Sequence, residues 1–266
     1  MMTRVHRPRR LFFPNLPTAW SVVGLLLQSA PLTLSQTTPE KAGSDLAARV
    51  RSLLPQSAGT NSALMRVRPA RPALPYQIPL RIAVFPTPEG WCTLYEADPG
   101  PQRPAVRLWI EHVRDHRPRY FVAEKDHSGA WPAQPEPLEP ARRMLGFAGS
   151  DFAPADLSLE FLFWPHHRLL RSEMRRGQFC DLIESSTPDS PPDGYCRVRA
   201  WFDRDTGGLV YAEGLDAQGR VVKEFLPRRF RKIDGQWEVT ELEMIHRLAG
   251  SRTVLVLNLT PADPGQ

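Results

Sequence analysis

Few residues in this chain could do chemistry. His112 and His116 stand four apart in His-Val-Arg-Asp-His. On a helix that spacing lets two imidazoles share a metal, but the glutamate of a zinc-protease motif is missing. The preceding Leu108-Trp109-Ile110 reads equally well as a strand end. His166 and His167 are adjacent, and adjacent side chains on an extended segment point to opposite faces, which makes them a poor joint ligand. No metal site is assigned. Cys180 beside one of these histidines would be a nucleophile and base for an exported hydrolase. Glu224, Glu238, Glu241 and Glu243 alternate with apolar neighbours, as on the wet face of an antiparallel sheet. The sequence holds no Gly-x-Ser-x-Gly elbow, phosphate loop or dinucleotide fingerprint. No catalytic residue is assigned.

What stands out instead is apolar and aromatic. Phe161, Phe163, Trp164, Leu169, Leu170, Trp201, Phe202, Trp237, Leu255 and Leu257 fall on or beside extended segments. Two readings are open: an ordinary core, or the lining of a hollow that takes an acyl chain. For the second, Phe161, Phe163, Trp164, Leu169, Trp201, Trp237, Leu255 and Leu257 are the candidate lipid-binding residues.

The chain has three cysteines, Cys92, Cys180 and Cys196. Cys180 and Cys196 lie on consecutive expected strands joined by the proline-rich loop from Ser185 to Gly194. A disulfide between them would close a loop of about 15 residues and stabilise by roughly 3 kcal/mol. Two buried thiols are the alternative.

Export would permit such a bond. Arg4, Arg7, Arg9 and Arg10 precede a mainly apolar stretch from Ala19 to Leu34, and short side chains follow at Thr33 and Ser35. Basic, apolar, small is the order of a secretory signal. Cleavage is expected near Ser35–Gln36; an uncleaved anchor is the alternative. The apolar run falls short of the roughly 20 residues of a membrane span, and it contains no cysteine for lipid modification. Arg9-Arg10-Leu11-Phe12-Phe13 loosely resembles a twin-arginine export signal. The whole chain carries a net charge of +5. Removing the four N-terminal arginines leaves about +1, so the basic balance does not argue for nucleic acid, and no RNA-binding motif is present. The basic stretches Arg168–Arg176 and Arg228–Lys232 read as solvated strand faces or as contacts for anionic lipid headgroups.

The elements that must position these residues are mostly strands. Residues 36–61 read as a polar leader and a helix, capped by Ser44 or Asp45 and running through Leu46, Val50, Leu53 and Leu54 to Pro55. Strands are expected over 63–68, 76–85, 91–97, 105–113 and 119–124, with Pro79 marking an edge or a bulge. Residues 130–140 contain four prolines and read as an irregular loop. Residues 149–164 read as turn residues followed by a short helix ending at Pro165. Strands follow over 178–185, 195–202, 209–214, 220–226, 230–233, 237–246 and 253–259. Asp234-Gly235 is a tight-hairpin signal. Residues 261–266 read as a disordered tail.

Over residues 144–260 the chain resembles the bacterial outer-membrane lipoprotein-sorting proteins, relatives of the LolA and LolB lipoprotein-localisation factors. The resemblance rests on an ordered set of segments: Gly149-Ser150-Asp151-Phe152-Ala153-Pro154-Ala155-Asp156-Leu157, Arg175-Arg176-Gly177-Gln178-Phe179-Cys180, Tyr195–Asp203, Leu215–Phe225, Asp234-Gly235-Gln236-Trp237 and Gly250–Leu255. It implies one mainly β domain over 62–260, with a strongly curved antiparallel sheet (an incomplete barrel) and few helices covering the concave face. It implies a non-catalytic periplasmic carrier of lipid or lipoprotein acyl chains, without cofactor. Envelope membrane proteins are the further expected partners, and a monomer is expected. Segment 150–164 is the candidate cover. The proline-rich stretches at 69–79, 131–140 and 187–192 depart from the carrier pattern. A protein-binding adaptor on the same fold stays open.

Overall fold

A computed structural model describes residues 37–53, 58–101, 103–189, 194–233 and 236–259. The expected signal at 1–35, the Asp234-Gly235 turn and the tail at 261–266 lie outside them. The fold begins with helix α1, Pro39–Arg51. Its start lies earlier than the Ser44 or Asp45 cap expected from sequence. Thr38 Oγ1 accepts from Lys41 N at 3.2 Å, and Pro39 takes the first turn, where its missing N–H costs nothing. Gly43, Leu46 and Ala47 form the buried face, whereas Leu53 lies past the helix end and is exposed.

The strands are β1 (Gly59–Arg68), β2 (Tyr76–Thr87), β3 (Gly90–Ala97), β4 (Val106–Val113), β5 (Arg119–Glu124) and β6 (Glu136–Pro137), then β7 (His166–Arg175), β8 (Gln178–Ser186) and β9 (Arg197–Asp203). They end with β10 (Leu209–Leu215), β11 (Val221–Ile233), β12 (Gln236–His246) and β13 (Ser251–Asn258). Among the described residues they make one antiparallel sheet, in the order β6-β5-β4-β3-β2-β1-β13-β12-β11-β10-β9-β8-β7. Its two end strands do not pair, so the sheet is an open, curved one. Short loops dictate this order: consecutive strands pair, except β6 and β7, which the long 138–165 connection separates, and the single long-range seam joins β1 to β13.

Two expectations about prolines change. Pro79 marks neither an edge nor a bulge, because β2 lies between β1 and β3. Its carbonyl accepts from Asp98 N, just past the last β2–β3 pair, so its missing N–H faces the point where β3 leaves the sheet. Residues 220–226 and 230–233 are one strand, β11. Pro227 interrupts the ladder with β12, and irregularities there absorb it.

Registers place one set of side chains on the concave face. Met65, Ile78, Leu108, Tyr120, Leu255 and Met244 belong to one buried cluster. Ile183, Val198, Ala200, Phe202 and Ala212 belong to a second, under α1. A Cβ at Gly43 would lie 2.6 Å from Arg168 N and 2.8 Å from Arg168 Cα, so the helix backbone sits directly on β7. Helix propensity alone favours Ala over Gly by about 1 kcal/mol; overpacking opposes it by about 1–3 kcal/mol. Gly43→Ala is therefore expected to destabilise, read as a lower urea midpoint. A higher midpoint would show that α1 rides loosely on β7.

Candidate functional site

The concave face is covered by the segment between β5 and β7. A 3-10 turn at Phe147–Gly149, the single-turn helix α2 at Pro154–Leu157 and a second 3-10 turn at Glu160–Phe163 run across it. We call residues 147–164 the plug. Phe152 is fully buried and meets Phe225 edge-to-face, with centroids 6.2 Å apart. Trp164 lies 6.0 Å from Tyr195. Ala148 and Leu159 hold left-handed backbone at φ 53° and 51°, a conformation that costs a non-glycine residue of order 1 kcal/mol or more.

Polar side chains fix the plug to the sheet. Lys223 Nζ donates to Asp156 Oδ2 at 2.8 Å and to the Asp151 carbonyl at 2.9 Å. Asp156 Oδ2 also accepts from Ala153 N at 2.7 Å, closing the start of α2, and Tyr195 OH donates to Asp156 Oδ1 at 2.5 Å. Asp151 accepts from Ser251 and Thr253 on β13, and its own N–H donates to Thr253 Oγ1 at 2.9 Å. Tyr120 OH donates to Glu160 Oε2 at 2.7 Å and lies 2.7 Å from Ser158 Oγ. The Lys223 and Asp156 side chains are 7% and 6% exposed. Such a pair holds only because each charge has several partners. Burial, with the Asp156 charge beside it, drives the Tyr195 hydroxyl far up, so it stays a neutral donor.

Between plug and sheet remains a cavity of about 30 Å³, lined by Phe161, Leu159, Tyr195, Val198, Phe225 and Met244 among others. That is room for one or two waters, against roughly 300–1,000 Å³ for a ligand pocket. Around Leu159 and Phe161 the concave face is therefore filled by the chain's own plug, while at the plug's edge Phe147, Gly149 and Pro154 leave a cleft of about 290 Å³ against Val106 and Glu124.

The expected lining residues separate. Phe161 lines the cavity. Phe163, Trp164 and Leu169 pack in the cluster under α1, and Leu255 and Leu257 in the cluster of the other half. Trp201 is corrected outright. On β9, Ala200 and Phe202 face inward, so Trp201 faces out, where its Nε1 donates to Glu173 Oε1 at 2.7 Å and Arg175 covers its ring at 4.7 Å. Trp237 lies on β12, but its side chain is outside the described residues.

The expected disulfide is also corrected. All three cysteines are free and buried. The β8–β9 hairpin sets Cys180 opposite Asp203, whereas the Cys196 carbonyl accepts from Thr187 N. Positions 180 and 187 are seven residues apart along the strand direction, roughly 23 Å. Cys180 packs with Leu182 and Trp201, on the face opposite Val198 and Ala200, and hairpin register puts the thiols at opposite ends as well. Burial raises the Cys180 thiol, with Asp203 adding to it, so it is not poised as a thiolate.

The histidines do not converge on a metal; among the described residues no group of three candidate ligands forms. His112 is stacked on Trp91 at 4.4 Å. His167 Nδ1 lies 2.8 Å from Ser185 Oγ, and Ser185 is fully buried, closed to any substrate. Burial lowers both imidazoles to about 4, with Arg51 and His166 adding to the effect at His167. A folded pKa below the unfolded value of roughly 6.5 means the unfolded chain binds more protons between the two. Their contribution is thus complete above about pH 6.5 and is lost as pH falls toward 4. The urea midpoint is expected to fall from pH 7 to pH 5, and to fall less in His112→Phe/His167→Gln. An equal fall in both proteins would refute this assignment.

A family model described as "Uncharacterized protein" matches residues 133–264, and no curated protein matches the chain. Solved structures are more informative. A DUF1329 family protein from Desulfovibrio piger superposes with a TM-score of 0.67 at 22% identity, covering 86% of this chain and 95% of its own. A putative outer-membrane lipoprotein-sorting protein domain from Vibrio parahaemolyticus gives 0.67 at 17%, covering 85% and 94%. A LolA superfamily protein from Nitrosomonas europaea gives 0.58 at 17%, with the same coverage. The chain has the LolA-type fold. The likeness spans both halves of the sheet, beyond the stretch where the sequence resemblance was readable.

Within this LolA-type sheet, the sequence missed Lys223, Asp156, Tyr195 and Met244 as site residues. One signal was available: Lys223 and Phe225 are two apart on a strand, so they share a face, and a lysine among inward-facing residues demands a buried partner. Its partner, 67 positions away, has no local signature.

Proposed function

We propose that this protein is a non-catalytic periplasmic carrier, exported by an N-terminal signal cleaved near Ser35, that binds the acyl chains of a lipid or lipoprotein between the sheet and a displaced plug. Outer-membrane lipoprotein sorting is the role that best fits its fold. One observation carries the reading: the apolar concave face of a LolA-type sheet is covered by a short segment held at a few polar points, with left-handed residues at Ala148 and Leu159. A cover of short turns can leave without unravelling the sheet. Each methylene it yields to is worth about 0.8 kcal/mol, so a long acyl chain can offset the lost plug contacts.

The test is native mass spectrometry of the mature protein from the periplasmic fraction, with displacement of a fluorescent fatty acid. A mature N-terminus near residue 36, an acyl-bearing adduct and saturable probe binding are expected. Absence of both adduct and probe binding refutes carriage. The filled concave face favours one second reading, an envelope adaptor that binds protein on the same fold. In-cell crosslinking that captures a protein partner and no lipid would support it.

A further inference from the structure

At one end of the sheet, the end of β1, the turn after it and the β12–β13 turn enclose a cleft of about 480 Å³. Arg68, Arg71, Arg247 and Arg252 line it, with His246 and Ser251 beside them. All four arginines are exposed. Arg68 and Arg252 are direct cross-strand partners in the β1–β13 ladder. Like charges in that relation are unfavourable, and acids answer them only in part. Arg247 Nε meets Glu224 Oε1 at 2.5 Å, and Arg252 Nη1 lies 3.6 Å from Glu243 Oε1. Glu243 is shared, since its other oxygen takes Arg228 at 2.7 Å. Among the described residues, Arg68 and Arg71 have no carboxylate within ion-pair distance. The cleft therefore holds an excess of guanidinium charge around a concave space.

We propose that this cleft binds a phosphate-bearing anion. Guanidinium groups offer paired donors that match phosphate oxygens, and several around one space favour a multiply accepting anion over a single carboxylate. Ile245 and Pro69 supply an apolar wall for the organic part of an ester. The β12–β13 turn is preset for the role: Gly250 holds φ 67°, and His246 Nδ1 accepts from Ala249 N at 3.1 Å. The cleft also touches the plug. Ser251, on its wall, donates to Asp151 Oδ1, one of the plug anchors.

The phosphate can belong to a phospholipid headgroup or to a free phosphate ester. The headgroup source rests on the carrier reading, whereas the anion site does not. The experiment is titration of the full mature protein with inorganic phosphate, glycerol 3-phosphate, and phosphatidylcholine vesicles with and without phosphatidylglycerol, at constant ionic strength set with chloride. Saturable binding is expected, reduced about tenfold or more in Arg68→Glu/Arg71→Glu and unchanged in Arg114→Glu, an exposed arginine outside the cleft. Binding of phosphatidylglycerol vesicles supports the headgroup source; binding of the soluble esters alone supports the free ester. Equal affinities in wild type and Arg68→Glu/Arg71→Glu, or no binding that survives chloride at matched ionic strength, overturn the proposal. Displacement of the fluorescent fatty acid is measured on the same samples. Retained acyl binding with no phosphate effect removes the cleft and leaves the carrier standing.

Discussion

Lys223→Met is expected to lower the unfolding free energy by about 3–5 kcal/mol. Removing one member of a buried ion pair leaves the other charge without compensation, and that is the costly case. Here the stranded group is Asp156, which would keep only Tyr195 and Ala153 N as partners. Asp151 would lose a donor to its carbonyl at the same time. Urea denaturation of Lys223→Met, Asp156→Asn and the double variant measures this. The double variant is expected to recover part of the loss, because no charge is then stranded. A Lys223→Met loss below about 1 kcal/mol would mean that water reaches the pair and the plug is not sealed there.

Tying the plug to β13 is expected to abolish acyl binding. Asp151 N lies 2.9 Å from Thr253 Oγ1 and the two side chains meet at 2.7 Å, so cysteines at these positions would face one another across the plug–β13 contact. In Asp151→Cys/Thr253→Cys the oxidised protein is expected to bind the fatty-acid probe at least about tenfold more weakly than the reduced one, since about 30 Å³ cannot admit a chain. Reduction restores binding. Equal binding in both redox states would place the acyl chain somewhere other than beneath the plug. The native thiols do not interfere, because Cys92, Cys180 and Cys196 are all buried.

Much of the sheet was legible because its cause is local. Residues 91–97, 106–113, 119–124 and 209–215 alternate or cluster apolar side chains between turn residues, and those features act within ten residues. Strand β7 was not delimited in advance. Its pattern of arginines and half-buried leucines reads as solvated, and only α1 lying on it makes it part of a core. The helix start was misplaced for a similar reason: Ser44 and Asp45 are plausible caps, but Thr38-Pro39 already supplies one. Glu243 reads as a wet-face acid, yet it is 3% exposed beneath Arg228 and Arg252.

By itself the sequence determined that the chain is mainly β, where most strands begin and end, and that the ordered segments of 144–260 resemble lipoprotein-sorting proteins. Those properties follow from side-chain alternation and turn chemistry, which are written in neighbouring residues. Tertiary structure alone decided which aromatic residues face inward, that Cys180 and Cys196 lie apart, and that the concave face is closed by a plug pinned through Lys223 and Asp156. Register and curvature set those outcomes. A one-residue change in pairing moves a side chain from one face to the other, and a charge 67 positions away becomes a partner only when the sheet bends it into reach.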